Sequence, residues 1–161
     1  MEIKGKPTNV SKEYVRSWAS ASACVLSHHG YHVDQDTLVV SLRGIVEGDE
    51  DVHGLTYRDE NKIELKKSLN SAEMSIAILH EMIHRATSPD GFGENTDEKC
   101  TSTLNSRLHG DVGAIAQILI DGTYRRAAHF AHTKISYRTD DDHYDTAEDS
   151  CEGCKDKYHT K

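Results

Sequence analysis

Three residues near the middle of the chain have the types and spacing of a zinc site. His80, Glu81 and His84 form the pattern H-E-x-x-H. On a helix, side chains four residues apart project from one face, so the two imidazoles can hold one zinc ion. Glu81 follows the first imidazole directly and is the residue type that acts as general base in metal-assisted hydrolysis. The pattern predicts a zinc-dependent hydrolase that cleaves a peptide bond.

A catalytic zinc ion takes three protein ligands and keeps one position open, so the two histidines need a partner. Glu98, near the start of the next predicted helix, is the expected third ligand. Its competing role is a capping box with Asn95. Glu94, Asp97 and His109 are the other candidates, and His109 would complete an all-histidine site.

The helix that carries the motif has clear start and packing signals. Asn70 can cap its first turn, and Glu73 stands three residues later, as in a capping box. Apolar residues then recur with helical spacing and predict a buried stripe beside the histidines, formed by Ile76, Leu79 and Ile83. We therefore expect a helix over residues 70–86 that is anchored in the core and presents the motif on one side.

The remaining elements predict an α+β domain with an N-terminal helix, a small and mostly antiparallel sheet, the motif helix and further helices. Alternating apolar and polar residues mark the later strands, and polar residues 59–61 mark a hairpin turn between them. An edge strand beside the metal can pair with an extended substrate. The expected ranges are a helix over 12–29, strands over 37–42, 54–58 and 62–65, and helices over 95–108 and 111–133.

Composition restricts the classes of function. The chain has 161 residues and a formal net charge of −8, which argues against general nucleic-acid binding because phosphate contacts need clustered cations. It has no apolar run of membrane-spanning length, and residues 1–10 lack the apolar core of a secretory signal. Four cysteines are too few for a disulfide scaffold. We expect a cytoplasmic protein without a membrane partner. A virion-associated protein would have a similar composition. The composition does not predict the oligomeric state.

The C-terminal segment differs in character from the rest of the chain. Residues 1–138 are expected to form the metal-binding domain, and residues 139–161 an acidic tail with few apolar side chains. Cys151 and Cys154 have the Cys-x-x-Cys spacing that suits zinc, and His143 and His159 could complete a second, structural site. A redox pair and two independent thiols are the alternatives.

The motif and its surroundings resemble small zincin-type metallopeptidases. Ile63 and Leu65 precede a gap, then comes the segment 78–84 with the motif, and then an acidic segment that opens a helix. This arrangement is similar to the ImmA/IrrE-like proteins and their phage-encoded relatives, in which a glutamate of the following helix, usually in E-x-x-A form, is the third ligand. The resemblance implies a minimal zincin-like fold with Glu98 as that ligand, and Thr101 stands here in place of the alanine.

The SprT/Spartan-like proteases provide a second resemblance. Their motif helix can also read His-Glu-Met-Ile-His, and a cysteine zinc module follows it. Their third ligand is a histidine in a His-Gly context soon after the motif, whereas His109 and Gly110 come later in this chain. Cys151 and Cys154 supply half of the cysteines that a zinc ribbon needs.

Both resemblances imply a zinc peptidase whose partner is a protein or peptide substrate. The alternative function is a non-enzymatic zincin-like protein with a structural or regulatory role, for example a phage virion component. Hydrolysis of peptidoglycan or of another amide uses the same activated water. These residues alone do not separate it from peptide cleavage.

Overall fold

The computed structural model describes residues 1–93 and 96–121, and these ranges confirm the α+β class. An N-terminal helix precedes most of the sheet, and two helices follow it. In chain order the described elements are β1 (Glu2–Lys4), α1 (Lys12–His28), β2 (Val39–Arg43), β3 (Gly54–Tyr57), β4 (Lys62–Lys66), α2 (Ser71–Thr87) and α3 (Asp97–Ile120).

The described sheet has the strand order β1-β2-β4-β3 and is mixed. β1 pairs with β2 in parallel, β2 pairs with β4 in parallel, and β3 pairs with β4 in antiparallel. The expectation of a mostly antiparallel sheet was therefore wrong. The three-residue β1 was too short to be recognised, and β4 takes the interior position because its Ile63 and Leu65 are fully buried, which leaves the partly buried β3 at the edge.

The first helix has the capping residues that the sequence predicts. The Ser11 hydroxyl accepts a hydrogen bond from the Tyr14 N–H at 2.9 Å. Gly30 has a φ of 83°, which lets the chain turn after the helix. α1 packs against both α2 and α3, and α2 also contacts β3 and β4. The motif helix therefore lies between the other helices and the edge of the sheet.

α2 begins with the predicted capping box. Asn70 Oδ1 accepts a hydrogen bond from the Glu73 N–H at 2.8 Å, and Glu73 Oε1 accepts one from the Asn70 N–H at 3.1 Å. Leu79 and Ile83 are fully buried, as expected, but Ile76 is 54% exposed. The predicted place of Ile76 in the buried stripe was wrong because its side of the helix borders a cleft rather than the core.

Within the described residues, one continuous helix, α3, spans the region where two helices were expected after the motif. The part of the second helix expected over 122–133 lies outside the described residues. α3 runs through Gly110 because its buried residues continue one stripe at helical spacing: Leu104, Leu108, Val112 and Ile115. Its N-cap is Thr96, which makes no side-chain capping bond. The expected partner of Glu98 in a capping box, Asn95, lies outside the described residues. Among the described helices, none combines the length and apolar character needed to cross a bilayer.

Candidate metal centre

The packing of α3 beside α2 brings three ligand-type side chains together. His80 and His84 belong to α2, and Glu98 reaches them from the first turn of α3. One ligand atom from each lies within 4.8 Å of the others. His80 Nε2 is 3.2 Å from His84 Nε2, and the Glu98 carboxylate is 3.0 Å from the first nitrogen and 2.7 Å from the second. We call these three residues the His-His-Glu cluster.

The candidates for the third ligand occupy different places. Glu98 joins the two histidines, as the spacing had suggested. Asp97 instead lies at the other ring nitrogen of His84, with Oδ2 3.2 Å from Nδ1. His109 packs against the single tryptophan, which belongs to α1, with ring centroids 5.0 Å apart. Glu94 lies outside the described residues.

The spacing of the cluster and the lowered pKa of His80 suit zinc. With bonds of about 2.1 Å, tetrahedral zinc separates its ligand atoms by about 3.4 Å, slightly more than the separations of 2.7 to 3.2 Å in the cluster. Each Nε2 can donate to a different oxygen of Glu98, but two donors in this arrangement leave the two Nε2 atoms 3.2 Å apart with no hydrogen bond between them. A shared metal ion accounts for all three contacts. Burial, with a contribution from His84, lowers the pKa of His80 and favours the neutral imidazole that binds metals.

Glu81 lies beside the cluster and is almost completely buried, with 7% of its surface exposed. The Thr56 hydroxyl of β3 is 2.9 Å from Glu81 Oε1 and 2.9 Å from the Glu81 carbonyl oxygen. Burial raises the pKa of Glu81 to about 7, and the Thr56 hydrogen bond opposes this shift. A carboxyl group with a pKa near neutrality is suited to accept a proton and return it.

The edge strand approaches Glu81 closely because it carries Gly54. A Cβ at this position would lie 2.7 Å from Glu81 Cγ and 2.9 Å from Glu81 Oε2, well inside van der Waals contact. Gly54 and Thr56 were not among the site residues predicted from the sequence. A glycine at the start of a predicted strand was the available signal, because strand glycines often mark a close approach.

The cluster lines a cleft with a volume of about 530 Å³. Residues of β3 and α2 form two of its sides, and the segment that precedes β3 contributes two carboxylates, those of Glu47 and Asp51. Apolar surface in the cleft comes from Leu55 and Ile76. The cleft therefore places the backbone of β3, two apolar side chains and two carboxylates around the metal-binding atoms.

The second predicted metal site lies outside the described residues. Cys151, Cys154, His143 and His159 all belong to the segment 139–161, and the predicted domain boundary at residue 138 lies outside the described ranges as well. The second site and the boundary therefore stay predictions.

No protein-family model, curated protein or solved structure matches the chain. The resemblance to zincin-type peptidases therefore stays an expectation. The function must be inferred from the geometry of the cluster, Glu81 and the edge strand.

Proposed function

We propose that the protein is a zinc-dependent peptidase. The observation that carries this proposal is the convergence of His80, His84 and Glu98 in a cleft that Glu81 also lines. Two imidazoles and one carboxylate leave a fourth tetrahedral position for water or substrate, which is the composition of a catalytic zinc site. Structural zinc sites are instead closed by four protein ligands.

Each side chain has a distinct role in this proposal. Zinc, when bound, polarises the scissile carbonyl and lowers the pKa of water toward about 7. Glu81 accepts a proton from the attacking water and later delivers it to the leaving amine. The Thr56 hydroxyl holds one oxygen of this carboxylate. Because a histidine binds metal through its neutral form, Glu98 is the one ligand of the three that brings a negative charge to a bound zinc ion.

The edge strand supports an extended peptide as the substrate. Hydrogen-bonded and non-hydrogen-bonded pairs alternate in an antiparallel ladder. The Lys66 N–H donates to the His53 carbonyl at 2.9 Å, so Gly54 and Thr56 occupy non-hydrogen-bonded positions opposite β4. Their N–H and C=O groups point away from β4, on the side where a further extended chain can add to the sheet. β3 lines the cleft, so such a chain would pass the His-His-Glu cluster.

Two alternatives make different demands on the site. A non-enzymatic zincin-like protein would be favoured by four protein ligands or by a Glu81 side chain turned away from the cleft. Within residues 1–93 and 96–121, the cluster has three members, and Glu81 lines the cleft. An amide hydrolase that acts on peptidoglycan needs the same groups, so an assay must distinguish it from a peptidase.

The test measures zinc content and hydrolysis on the purified full-length chain. The substrates are fluorescently labelled casein and purified peptidoglycan. Glu81→Gln keeps an acceptor for the Thr56 hydroxyl, so it should retain zinc but lose at least about 100-fold in cleavage rate. His80→Ala removes a ligand and should lose both zinc and cleavage. His32→Ala changes an exposed histidine that does not line the cleft, and it should keep both.

Each outcome selects one function. Casein cleavage that disappears in Glu81→Gln supports the peptidase. Hydrolysis of peptidoglycan without hydrolysis of casein assigns the site to cell-wall amides. Zinc binding by the wild-type chain without hydrolysis of either substrate favours the non-enzymatic alternative. Unchanged zinc content in His80→Ala would refute the metal site itself.

A further inference from the structure

The His84 imidazole has polar neighbours at both ring nitrogens. Its Nε2 faces His80 and Glu98, whereas its Nδ1 lies 3.2 Å from Asp97 Oδ2. The side chains of His84 and Asp97 are 8% and 14% exposed. Nδ1 is buried and has no well-aligned hydrogen bond to any described group, so Asp97 is the acceptor within its reach.

Two hydrogen bonds and the close approach of Gly91 hold the Asp97 carboxylate at this place. The Phe92 N–H donates to Oδ1 at 3.0 Å, and Arg58 Nη2 donates to Oδ2 at 3.0 Å. Gly91, which has a φ of 63°, packs so closely that a Cβ there would lie 2.5 Å from Oδ1. These groups hold the Asp97 carboxylate in place independently of its contact with His84.

Asp97 and Glu98 approach the same imidazole from different directions. They are consecutive residues in the first turn of α3, so their side chains diverge by about 100° around the helix axis. Glu98 reaches Nε2 of His84, and Asp97 reaches Nδ1. The first turn of α3 thus places one carboxylate at Nε2 of His84, the nitrogen that would bind the metal, and a second carboxylate at Nδ1 on the opposite side of the ring.

We propose that Asp97 is a positioning residue of the metal centre. It accepts the Nδ1–H of His84 and so selects the tautomer whose Nε2 lone pair faces the metal site. This inference rests on the proposed zinc site. Metal-binding histidines commonly donate their second ring N–H to a carboxylate, and loss of that partner lowers metal affinity by roughly 10- to 100-fold. Arg58 directly follows β3, so its ion pair with Asp97 also connects the edge strand to the metal centre.

Zinc affinity of the full-length chain, measured by competition with a chromophoric chelator, tests the inference. Asp97→Ala should still bind one zinc ion, with affinity lowered about 10- to 100-fold. Asp97→Asn keeps an uncharged acceptor oxygen, and its affinity should lie between those of the wild type and Asp97→Ala. Glu98→Ala removes a ligand and should bind more weakly than either. Asp121→Ala changes an exposed carboxylate at the far end of α3 and should bind as the wild type does.

The cobalt-substituted protein adds a readout that overall stability does not move. Because Asp97 orients one ligand ring, Asp97→Ala should shift or weaken the visible absorption bands of bound cobalt, and Asp97→Asn should restore them in part. Arg58→Gln removes a partner of Asp97 but leaves the contact with His84. Its zinc affinity should therefore fall less than that of Asp97→Ala.

The outcomes separate this inference from the proposed function. A wild-type chain that binds no zinc refutes the metal centre and the peptidase together. Wild-type zinc binding with equal affinity and an unchanged cobalt spectrum in Asp97→Ala refutes only the positioning role. Loss of zinc in Asp97→Ala with retention in Glu98→Ala would make Asp97 the ligand instead. Circular dichroism identifies a variant that does not fold, in which case Asp97→Asn and Arg58→Gln decide the result.

Discussion

Replacement of Gly54 by alanine should displace the proposed general base while leaving the metal ligands in place. The added Cβ would lie 2.7 Å from Glu81 Cγ, 2.9 Å from Glu81 Oε2 and 3.1 Å from the Glu64 carbonyl oxygen. The first two atoms belong to a side chain that can rotate, whereas the third belongs to the backbone of the paired strand β4. We therefore expect Glu81 to move and β3 to shift slightly away from β4.

The expected magnitudes follow from these contacts. Overpacking of this kind costs about 1–3 kcal/mol, offset by the roughly 0.4–1 kcal/mol that alanine gains by restricting the unfolded chain. A net loss of about 1–2 kcal/mol should lower the melting temperature by roughly 2–8 °C for a chain of this size. Displacement of Glu81 should reduce casein cleavage by about 10- to 100-fold. Zinc affinity should stay the same, because Glu81 is not a member of the His-His-Glu cluster.

Thermal denaturation, zinc titration and casein cleavage are compared across a small set of variants. Gly110→Ala is the matched control: a Cβ there meets no atom within 4 Å, so this variant should gain about 0.5–1 kcal/mol of helix stability. In a Glu81→Ala background the Gly54→Ala change loses its two shortest contacts and keeps the one with the Glu64 carbonyl, so the two substitutions should show a coupling of about 0.5–3 kcal/mol. Wild-type melting temperature and cleavage in Gly54→Ala would refute the close packing of β3 on Glu81.

Chelation of zinc should lower the melting temperature of the wild type but not of His80→Ala, because a ligand at 100 times its Kd stabilises the fold by about 2.7 kcal/mol. An equal response in both proteins would contradict the assignment of His80. Peptides with Lys or Arg side chains should be cleaved faster than acidic peptides, because Glu47 and Asp51 line the cleft and form no ion pair with a described residue. This preference should weaken in added salt and in a Glu47→Gln/Asp51→Asn variant, and an unchanged preference would exclude these carboxylates. Burial lowers the pKa of His109 from its ordinary value of 6.5, so the unfolded chain binds the proton more tightly than the folded chain. The stability that His109 contributes is therefore present above pH 6.5 and lost as the pH falls toward its lowered folded pKa. His109→Phe should flatten that part of the curve of unfolding free energy against pH, and an identical curve would assign it to other groups.

Helices and strands with clear capping residues or apolar patterns were predicted well. The order and direction of the strands in the sheet were not. The capping residues Ser11 and Asn70 identified the starts of α1 and α2, because a cap depends on residues within one turn. The strand β1, at Glu2–Lys4, offered too few residues for a periodic pattern. Two helices were expected over 95–108 and 111–133, but buried residues on both sides of Gly110 continue one stripe through α3.

The chain itself determined the core of the candidate site. His80, Glu81 and His84 share one helix, and their relative positions depend only on helical periodicity and on a capping box a few residues away. These interactions act over one or two turns. A short pattern is therefore enough to place two imidazoles on one face with a carboxylate beside them.

Only the tertiary structure decided which residues surround that core. Because α3 packs against α2, Glu98 contacts the two histidines and Asp97 contacts Nδ1 of His84. Because β3 packs against α2, Gly54 lies next to the Glu81 side chain. That packing is driven by buried apolar surface spread over all the helices and the sheet. Such a distributed force leaves no local signature. Residue types and spacing were therefore enough to predict Glu98 as the third ligand among several candidates, but the contact of Asp97 with His84 and the edge position of β3 emerge only when the elements are assembled.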